Sequence, residues 1–352
     1  MRVTMQDIAK RCGIGRSTVS FILNGTASRV GLSEKLCEKV RQTAKEMGYR
    51  RNEIASSFHS GKLKVVAFVT NDSHSASYTM RIIAGINECL NKHNYSHQEK
   101  DSLDRLADKI IANMIPGVIL SLPPDACEEL RRKMEPYNVK AATATLTELS
   151  DPVIQVWTDD TGGAASVADK FYELGHRRLG LVYFEHVSAP RIKTDSYLRR
   201  LGELGLPNDE SIAVGLSRNT ACNLLDAERV KEFFHRPNRP TAVFCEADPL
   251  ALRFIQYTCL AGYRIPDDIS VIGYADVDYA EFSNPPLSTI RTPFEEIGLK
   301  AAELLLEAIR NDCQTNQKII IPVSYVERMS AAPFVSGDEE SEQAKRMTAL
   351  SS

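Results

Sequence analysis

The sequence predicts a small all-α domain followed by a larger α/β domain built on parallel sheets. Three observations predict it. Short helices separated by glycines fill the first fifty residues. From Leu63 onward, β-rich apolar runs alternate with longer amphipathic stretches. The charge is also split. Residues 1–60 carry eleven Lys/Arg against five Asp/Glu, a balance of +6, so the rest of a chain with net charge −3 carries −9. A basic N-terminal segment on an acidic body is the electrostatic outline of a DNA-binding arm on a larger domain.

The bulk numbers bound the class. A chain of 352 residues has room for two or three domains, and its 43% hydrophobic and 25% charged residues are those of a folded chain. No apolar run reaches the ~20 residues of a membrane span. Met1 to Lys10 carries charges and no apolar stretch, which argues against a signal peptide and predicts a cytoplasmic protein with no membrane partner. Eight cysteines, at 12, 37, 89, 127, 222, 245, 259 and 313, form no C-x-x-C pair and sit mostly in apolar contexts. Buried free thiols are expected, not disulfides or a zinc site.

The first helix starts at Thr4, which caps it, with Asp7 three residues on completing the reciprocal box. Met5, Ile8, Ala9 and Cys12 then share one face. Gly13 ends the helix in the left-handed conformation, and Ile14 plugs the corner. A second helix runs from Arg16 to Asn24 and stops at Gly25, with Val19, Ile22 and Leu23 inward and Arg16, Ser17, Ser20 and Phe21 outward. A third starts at Ser33 and ends at Gly48. Two short helices joined by a glycine turn form a helix-turn-helix, whose second helix suits the major groove. Geometry alone also fits any small helical bundle.

The run VTMQDIAKRCGIGRSTVSFILNG, then a Ser-started helix, EMGY, Arg and Asn, resembles the headpiece of the LacI/GalR family of bacterial transcriptional regulators. The resemblance implies that Arg16 and Ser17 read bases, Arg16 by a bidentate contact with guanine. Phe21 stands where many members carry a base-reading polar residue. It cannot donate a hydrogen bond, which leaves it two roles: touching a thymine methyl, or packing. Thr4, Ser20, Asn24 and Arg29 are implied as phosphate contacts, which position the headpiece. The loop Thr26–Leu32 is longer than in the best-known members.

Residues 50–61 match the family's hinge, which orders into a helix on DNA, pairs with its copy in a second subunit and wedges a Leu into the minor groove. Asn52, Ile54, Ala55 and Phe58 are the implied DNA contacts, with Phe58 at the Leu position and Arg51 in place of the usual Pro. A linker that never orders is the alternative. A dimer on a palindromic double-stranded site follows from two-fold symmetry.

In the larger domain the strand runs are 63–70, 117–122, 153–157, 179–184, 241–246, 269–274 and 318–323, with helical patterns near 78–92, 103–114, 162–174, 196–205, 221–235, 249–262 and 294–309. Such alternation means parallel sheets covered by helices, with ligands outside the carboxyl ends of the strands. ELGHRRLGLVYF, RPTAVFCEADPLA, GYRIPDDISVIGYAD and NPPLSTIRTPFEEIGLKAAELLL are similar to the family's shared segments. They imply the periplasmic-binding-protein-like fold: two doubly wound lobes, three crossovers and a ligand cleft between them. The expected domains are therefore 1–49 headpiece, 50–61 hinge, 62–333 two-lobed effector and dimerisation domain, and 334–352 disordered tail.

The cleft departs from the family pattern. Sugar-binding members use an Arg after the ELGH segment, Asn-Asp after the FCE-like strand, and Asp directly after the VIGY-like strand. Here Lys193 stands near the Arg position, Ala247-Asp248 replaces Asn-Asp, and Ala275 precedes Asp276. Asp159 and Asp160 follow another strand, and Tyr78 with His74 replaces an aromatic pair. The implied effector contacts are His74, Tyr78, Asp159, Lys193, Asp248 and Asp276. The segment after Tyr95 reads SHQEK, so the second strand of the N-terminal lobe is expected to be missing or irregular. Three outcomes stay open for the effector: an unusual sugar, a different metabolite, or none.

Other chemistry is not expected. His93 and His97 are four apart, but Asn94 replaces the Glu of a zincin and the segment is polar. There is no G-x-S-x-G, P-loop or G-x-G-x-x-G after a strand. Asp276, Asp278 and Glu281 lie near one another without a nucleophile. No cofactor, metal or enzymatic activity is predicted, and the tail lacks a leucine heptad that would seam a tetramer. The reading is a repressor modulated by a small molecule. The alternative is a relative that has lost ligand control and acts constitutively or through a protein partner.

Overall fold

Side-chain chemistry at both ends fixes the first helix, α1 (Met5–Cys12). The Thr4 hydroxyl accepts from the Asp7 N–H at 3.3 Å, and the Asp7 carboxylate accepts from the Thr4 N–H at 2.9 Å. Gly13, at φ 72°, closes the other end in the left-handed region. Then come α2 (Arg16–Leu23), a 3-10 turn over Ala27–Val30, and α3 (Glu34–Glu46), capped by Ser33. Ile8, Val19, Ile22, Cys37 and Val40 are almost wholly buried in a shared core. The longer loop contributes to it through Ala27, so its extra length is packed.

The computed structural model describes residues 3–23, 25, 27–49, 64–70, 76–93, 96–100, 105–145, 153–185, 191–208, 212–217, 224–236 and 238–335. It divides into two units, Met1–Leu63 and Lys64–Ser352. The expected hinge, 50–61, lies outside the described residues.

The second unit contains two six-stranded sheets. The chain first lays down β1 (Val65–Thr70), α4 (Ala76–Lys92), β2 (Ser96–Lys100), α5 (Leu106–Ala112), β3 (Gly117–Ser121), α6 (Pro124–Met134), β4 (Lys140–Ala144) and β5 (Ile154–Thr158). It then crosses to α7 (Asp160–Glu173), β6 (Leu179–Phe184), α8 (Ile192–Glu203), β7 (Ala213–Leu216), α9 (Leu224–Phe234), β8 (Ala242–Cys245), α10 (Asp248–Leu260), β9 (Ser270–Ala275) and β10 (Ser288–Arg291). It returns as α11 (Phe294–Asn311) and β11 (Lys318–Ile321), and crosses a third time into β12 (Ser324–Val326). The sheet orders are β11-β5-β4-β3-β1-β2 and β12-β10-β9-β8-β6-β7. Neighbours are parallel except β12, which runs antiparallel to β10. Strand order reverses at β1 in the first lobe and at β6 in the second, and crevices for ligands open at such points.

The structure corrects several expectations. Ser96–Lys100 does form a strand, parallel to β1. It is an edge strand, and backbone pairing on one side needs no apolar run. The sequence also hid β4, whose KAATA is rich in a helix-favouring residue yet buried throughout. Phe334, assigned to the tail, belongs to the body: its N–H donates to the Leu174 carbonyl at 2.8 Å, and its ring lies 5.7 Å from that of His176.

α4 and α11 cross at unusually close range. A Cβ on Gly85 would collide with the Glu295 carbonyl, and one on Gly298 with the Ile82 carbonyl. The two helices bury Ile82, Ile86, Ile297 and Ala301 against the first sheet. That contact ties the returning C-terminal helix to the first lobe.

Candidate nucleic-acid interface and ligand cleft

In the first unit the scaffold and the outward face use different residues. The Thr4 hydroxyl donates to Asp7 at 2.7 Å, so its hydrogen is committed to the cap. These bonds from the Thr4 hydroxyl and N–H hold the Asp7 carboxyl below its ordinary value. On α2, Arg16 and Ser17 are exposed, Ser20 is half-buried, and Phe21 is 41% exposed. Asn24, the Arg29 side chain, Asn52, Ile54, Ala55 and Phe58 lie outside the described residues.

In the second unit the polar groups at the strand ends are largely bound to one another. At the reversal point of the second sheet, Glu246 follows β8. Its carboxylate accepts from the Phe184 N–H at 2.7 Å and from the Thr194 hydroxyl at 3.0 Å. Lys193, at the start of α8, donates to the Glu246 carbonyl at 3.2 Å. Its ammonium lies 4.4 Å over the Tyr274 ring and 3.9 Å from the Asp160 carboxylate. Asp160 in turn accepts from the Thr158 and Tyr274 hydroxyls, both at 2.9 Å. Burial first, and then the Asp160 charge, push the Tyr274 hydroxyl far above its ordinary value. Tyr274 therefore stays a donor to Asp160.

Three expected effector contacts change role. Asp159 is an exposed cap, accepting from the Gly162 N–H at 2.8 Å; its neighbour Asp160 is the one that meets Lys193. Asp248 has no exposed surface. It accepts from the Thr289 hydroxyl at 2.6 Å and the Val277 N–H at 2.9 Å, fastening β10 and the turn after β9. Burial pushes its carboxyl up to about 6, against the opposing pull of those bonds. Asp276, at φ 54°, is clamped by Arg291 and Arg328, each at 2.6 Å. Burial raises its carboxyl, but the two guanidinium groups outweigh that and hold it below the ordinary range. Asp248 and Asp276 are thus structural carboxylates whose oxygens serve the fold. Tyr78 is half-buried, with its ring stacked 5.4 Å from that of Phe294. His74 lies outside the described residues.

Sequence reasoning passed over Tyr274, Glu246 and Arg81. Arg81 projects from α4, grips Glu295 with bonds of 2.7 and 3.0 Å, and donates to the Asp276 carbonyl of the other lobe at 3.0 Å. Its burial acts against the charge, but Glu295 more than compensates and raises its pKa. An Arg on the polar side of a helix gave no signal in the sequence. Tyr274, directly before the Ala275 that replaces an expected Asp, did offer one.

Comparison with known proteins supports both halves of the chain. Residues 4–52 match the model of bacterial regulatory proteins of the lacI family, and residues 168–331 match that of a periplasmic binding protein-like domain. The chain is 27% identical over 318 residues to the HTH-type transcriptional repressor CytR of Escherichia coli (strain K12), covering 87% of this chain and 90% of that one. It is 25% identical over 347 residues to the HTH-type transcriptional regulator DegA of Bacillus subtilis (strain 168), covering 95% and 99%. Among solved structures, the lac repressor dimer bound to operator and the anti-inducer ONPF superposes with a TM-score of 0.79 at 22% identity, over 94% of this chain and 100% of that one. A complex of the transcriptional regulator CelR with cellobiose superposes at 0.67 with 23% identity, over 94% and 100%. No described helix is long and apolar enough to cross a membrane.

Proposed function

The chain belongs to the LacI family of bacterial regulatory proteins, and from that premise we propose that it is a dimeric transcriptional repressor that binds a palindromic operator and releases or tightens on it in response to a small molecule. The observation that carries this reading is the division of labour in α2. Val19 and Ile22 lock the helix into the headpiece core, while Arg16 and Ser17 stay exposed at its N-terminal turn. That turn is where a recognition helix meets base edges. Ser20 faces the same side, and with Asn24, Arg29 and the hinge residues Asn52, Ile54, Ala55 and Phe58 it completes the proposed contact set; Thr4, whose hydroxyl and N–H both donate to Asp7, is left out of it.

For the effector, Lys193 is the anchor of the cleft. Its ammonium has three donors, and the bond to Glu246 uses one. With the Asp160 carboxylate 3.9 Å away, the remaining capacity suits a ligand hydroxyl, in keeping with a polar metabolite of the sugar class. Ala247 and Ala275 favour a second reading, in which ligand control has been lost, because they offer no side-chain hydrogen bonds at two strand ends. A thermal-shift screen separates the two readings, since a bound effector raises the melting temperature by mass action. The protein is read as a cytoplasmic regulator and not a catalyst, as its relatives are regulators by name.

The test of DNA binding is selection from random-sequence duplexes with purified full-length protein. A two-fold symmetric site is expected; failure to enrich any site, with or without candidate effectors, would overturn the reading.

A further inference from the structure

The half-buried carboxylate of Glu246 has two neutral donors and no cation beside it. Glu246 directly follows β8, and its side chain reaches across to the end of β6, where the second sheet reverses and its crevice opens. One oxygen accepts from the Phe184 N–H and the other from the Thr194 hydroxyl. Among the described residues Glu246 forms no ion pair; the nearby Lys193 ammonium serves the Glu246 carbonyl and Asp160 instead. Other strand-end carboxylates of this lobe are matched by charge. Arg229 holds Glu185, and Arg291 and Arg328 hold Asp276. Asp248 also lacks a cation, but it is wholly enclosed, whereas Glu246 keeps exposed surface.

A carboxylate partly withdrawn from water without a counter-charge costs the empty protein free energy. It becomes a recognition element when a ligand supplies the missing donors. Its two oxygens offer about four acceptor sites, and the two bonds above leave the rest open. We propose that Glu246 is a specificity-determining residue of the effector cleft, one that admits ligands bringing proton donors and rejects those carrying a carboxylate or phosphate. The inference deepens the ligand-controlled reading above and rests on it. Asp160 adds to the same bias, because its charge offsets that of Lys193. An anionic ligand would then meet an uncompensated like charge in a site of lowered dielectric. The matching class is the neutral polyol or the amine-bearing sugar, not the sugar acid or the sugar phosphate.

The test is calorimetric titration of the full-length protein with matched sets of ligands. One set is glucose, glucosamine, glucuronate and glucose 6-phosphate, and the galactose and ribose series supply further sets. Wild type should bind a neutral or amino member at least about tenfold more tightly than its acid or phosphate. Glu246→Gln, which keeps the size and one acceptor oxygen but removes the charge, should narrow that gap to about threefold or less. Added salt should narrow it in wild type as well, since screening weakens repulsion. A wild type that prefers the acid or the phosphate, or a gap that salt leaves unchanged, would overturn the proposal, and both readings stand even if Glu246→Gln does not fold. An unchanged ranking in a folded Glu246→Gln would also overturn it, marking the carboxylate as a tie between β6 and α8 only. If no member of any set binds wild type, the sugar-class reading itself fails and the proposal goes with it.

Discussion

The two units spend their polar side chains differently. In the headpiece, the groups that hold the fold and the groups that face outward are separate sets: Thr4 and Asp7 cap, Val19 and Ile22 pack, and Arg16 and Ser17 remain exposed. In the body, the carboxylates at the strand ends hold the second lobe together. Asp248 reaches Thr289, and Asp276 reaches Arg291 and Arg328. Changes at the exposed headpiece positions Arg16 and Ser17 are thus expected to cost folding little, whereas the strand-end carboxylates of the body are tied to its stability.

That contrast is sharpest at Asp276. Replacing it with Ala leaves Arg328, whose side chain is 15% exposed, without its acid. Removing one partner of a buried pair costs about 3–5 kcal/mol, and urea unfolding of the full chain should show a loss on that scale. A loss within about 0.5 kcal/mol, typical of surface changes, would show that the clamp is not structural.

A smaller effect is expected where α4 meets α11. Gly298→Ala pushes a methyl into the Ile82 carbonyl, and such overpacking costs about 1–3 kcal/mol. A melting temperature equal to wild type would mean that the helices separate freely.

Asp248 extends the contrast to pH. Its carboxyl is raised to about 6, so the folded state holds the proton more tightly than the unfolded state does. The stabilising proton is fully present below the unfolded value and lost as pH rises through about 6. Between pH 7 and pH 5, wild type should gain about 1 kcal/mol relative to Asp248→Asn. A constant difference between the two across that range would contradict the shift.

The smallest effect on folding belongs to Arg16→Ala. Its stability should stay within about 0.5 kcal/mol of wild type, while specific binding weakens by about 1–3 kcal/mol and base preference relaxes at one position of each half-site. A large fall in melting temperature would erase the division between scaffold and reader.

The same contrast explains what could be read from the sequence. The Thr4–Asp7 box and Gly13 act over three or four residues, so caps and helix boundaries were legible from local spacing. Long apolar runs such as GVILS announced central strands. β2 was missed because an edge strand of SHQEK carries no apolar signature, and β4 because its alanines owe their burial to distant elements. The cleft was harder. Whether a strand-end carboxylate faces a ligand or folds back depends on partners far along the chain. Thr289 is 41 residues from Asp248, and Arg328 is 52 from Asp276. Of the neighbours Asp159 and Asp160, only the second is buried beside Tyr274, and a repeated Asp does not disclose which.

Arg81 has a mechanical consequence. Its charge is paired within its own lobe by Glu295, and it meets the other lobe through a hydrogen bond to the Asp276 carbonyl, with the Asp276 and Asp278 carboxylates acting on it at longer range. Rotation of one lobe past the other therefore breaks no close ion pair at Arg81 and gives up a charged hydrogen bond, about 1.5–3 kcal/mol. The contact behaves as a detent and not a lock. It is firm enough to give the resting orientation a preferred notch, and shallow enough for a small guest with two or three good bonds to click the lobes past it.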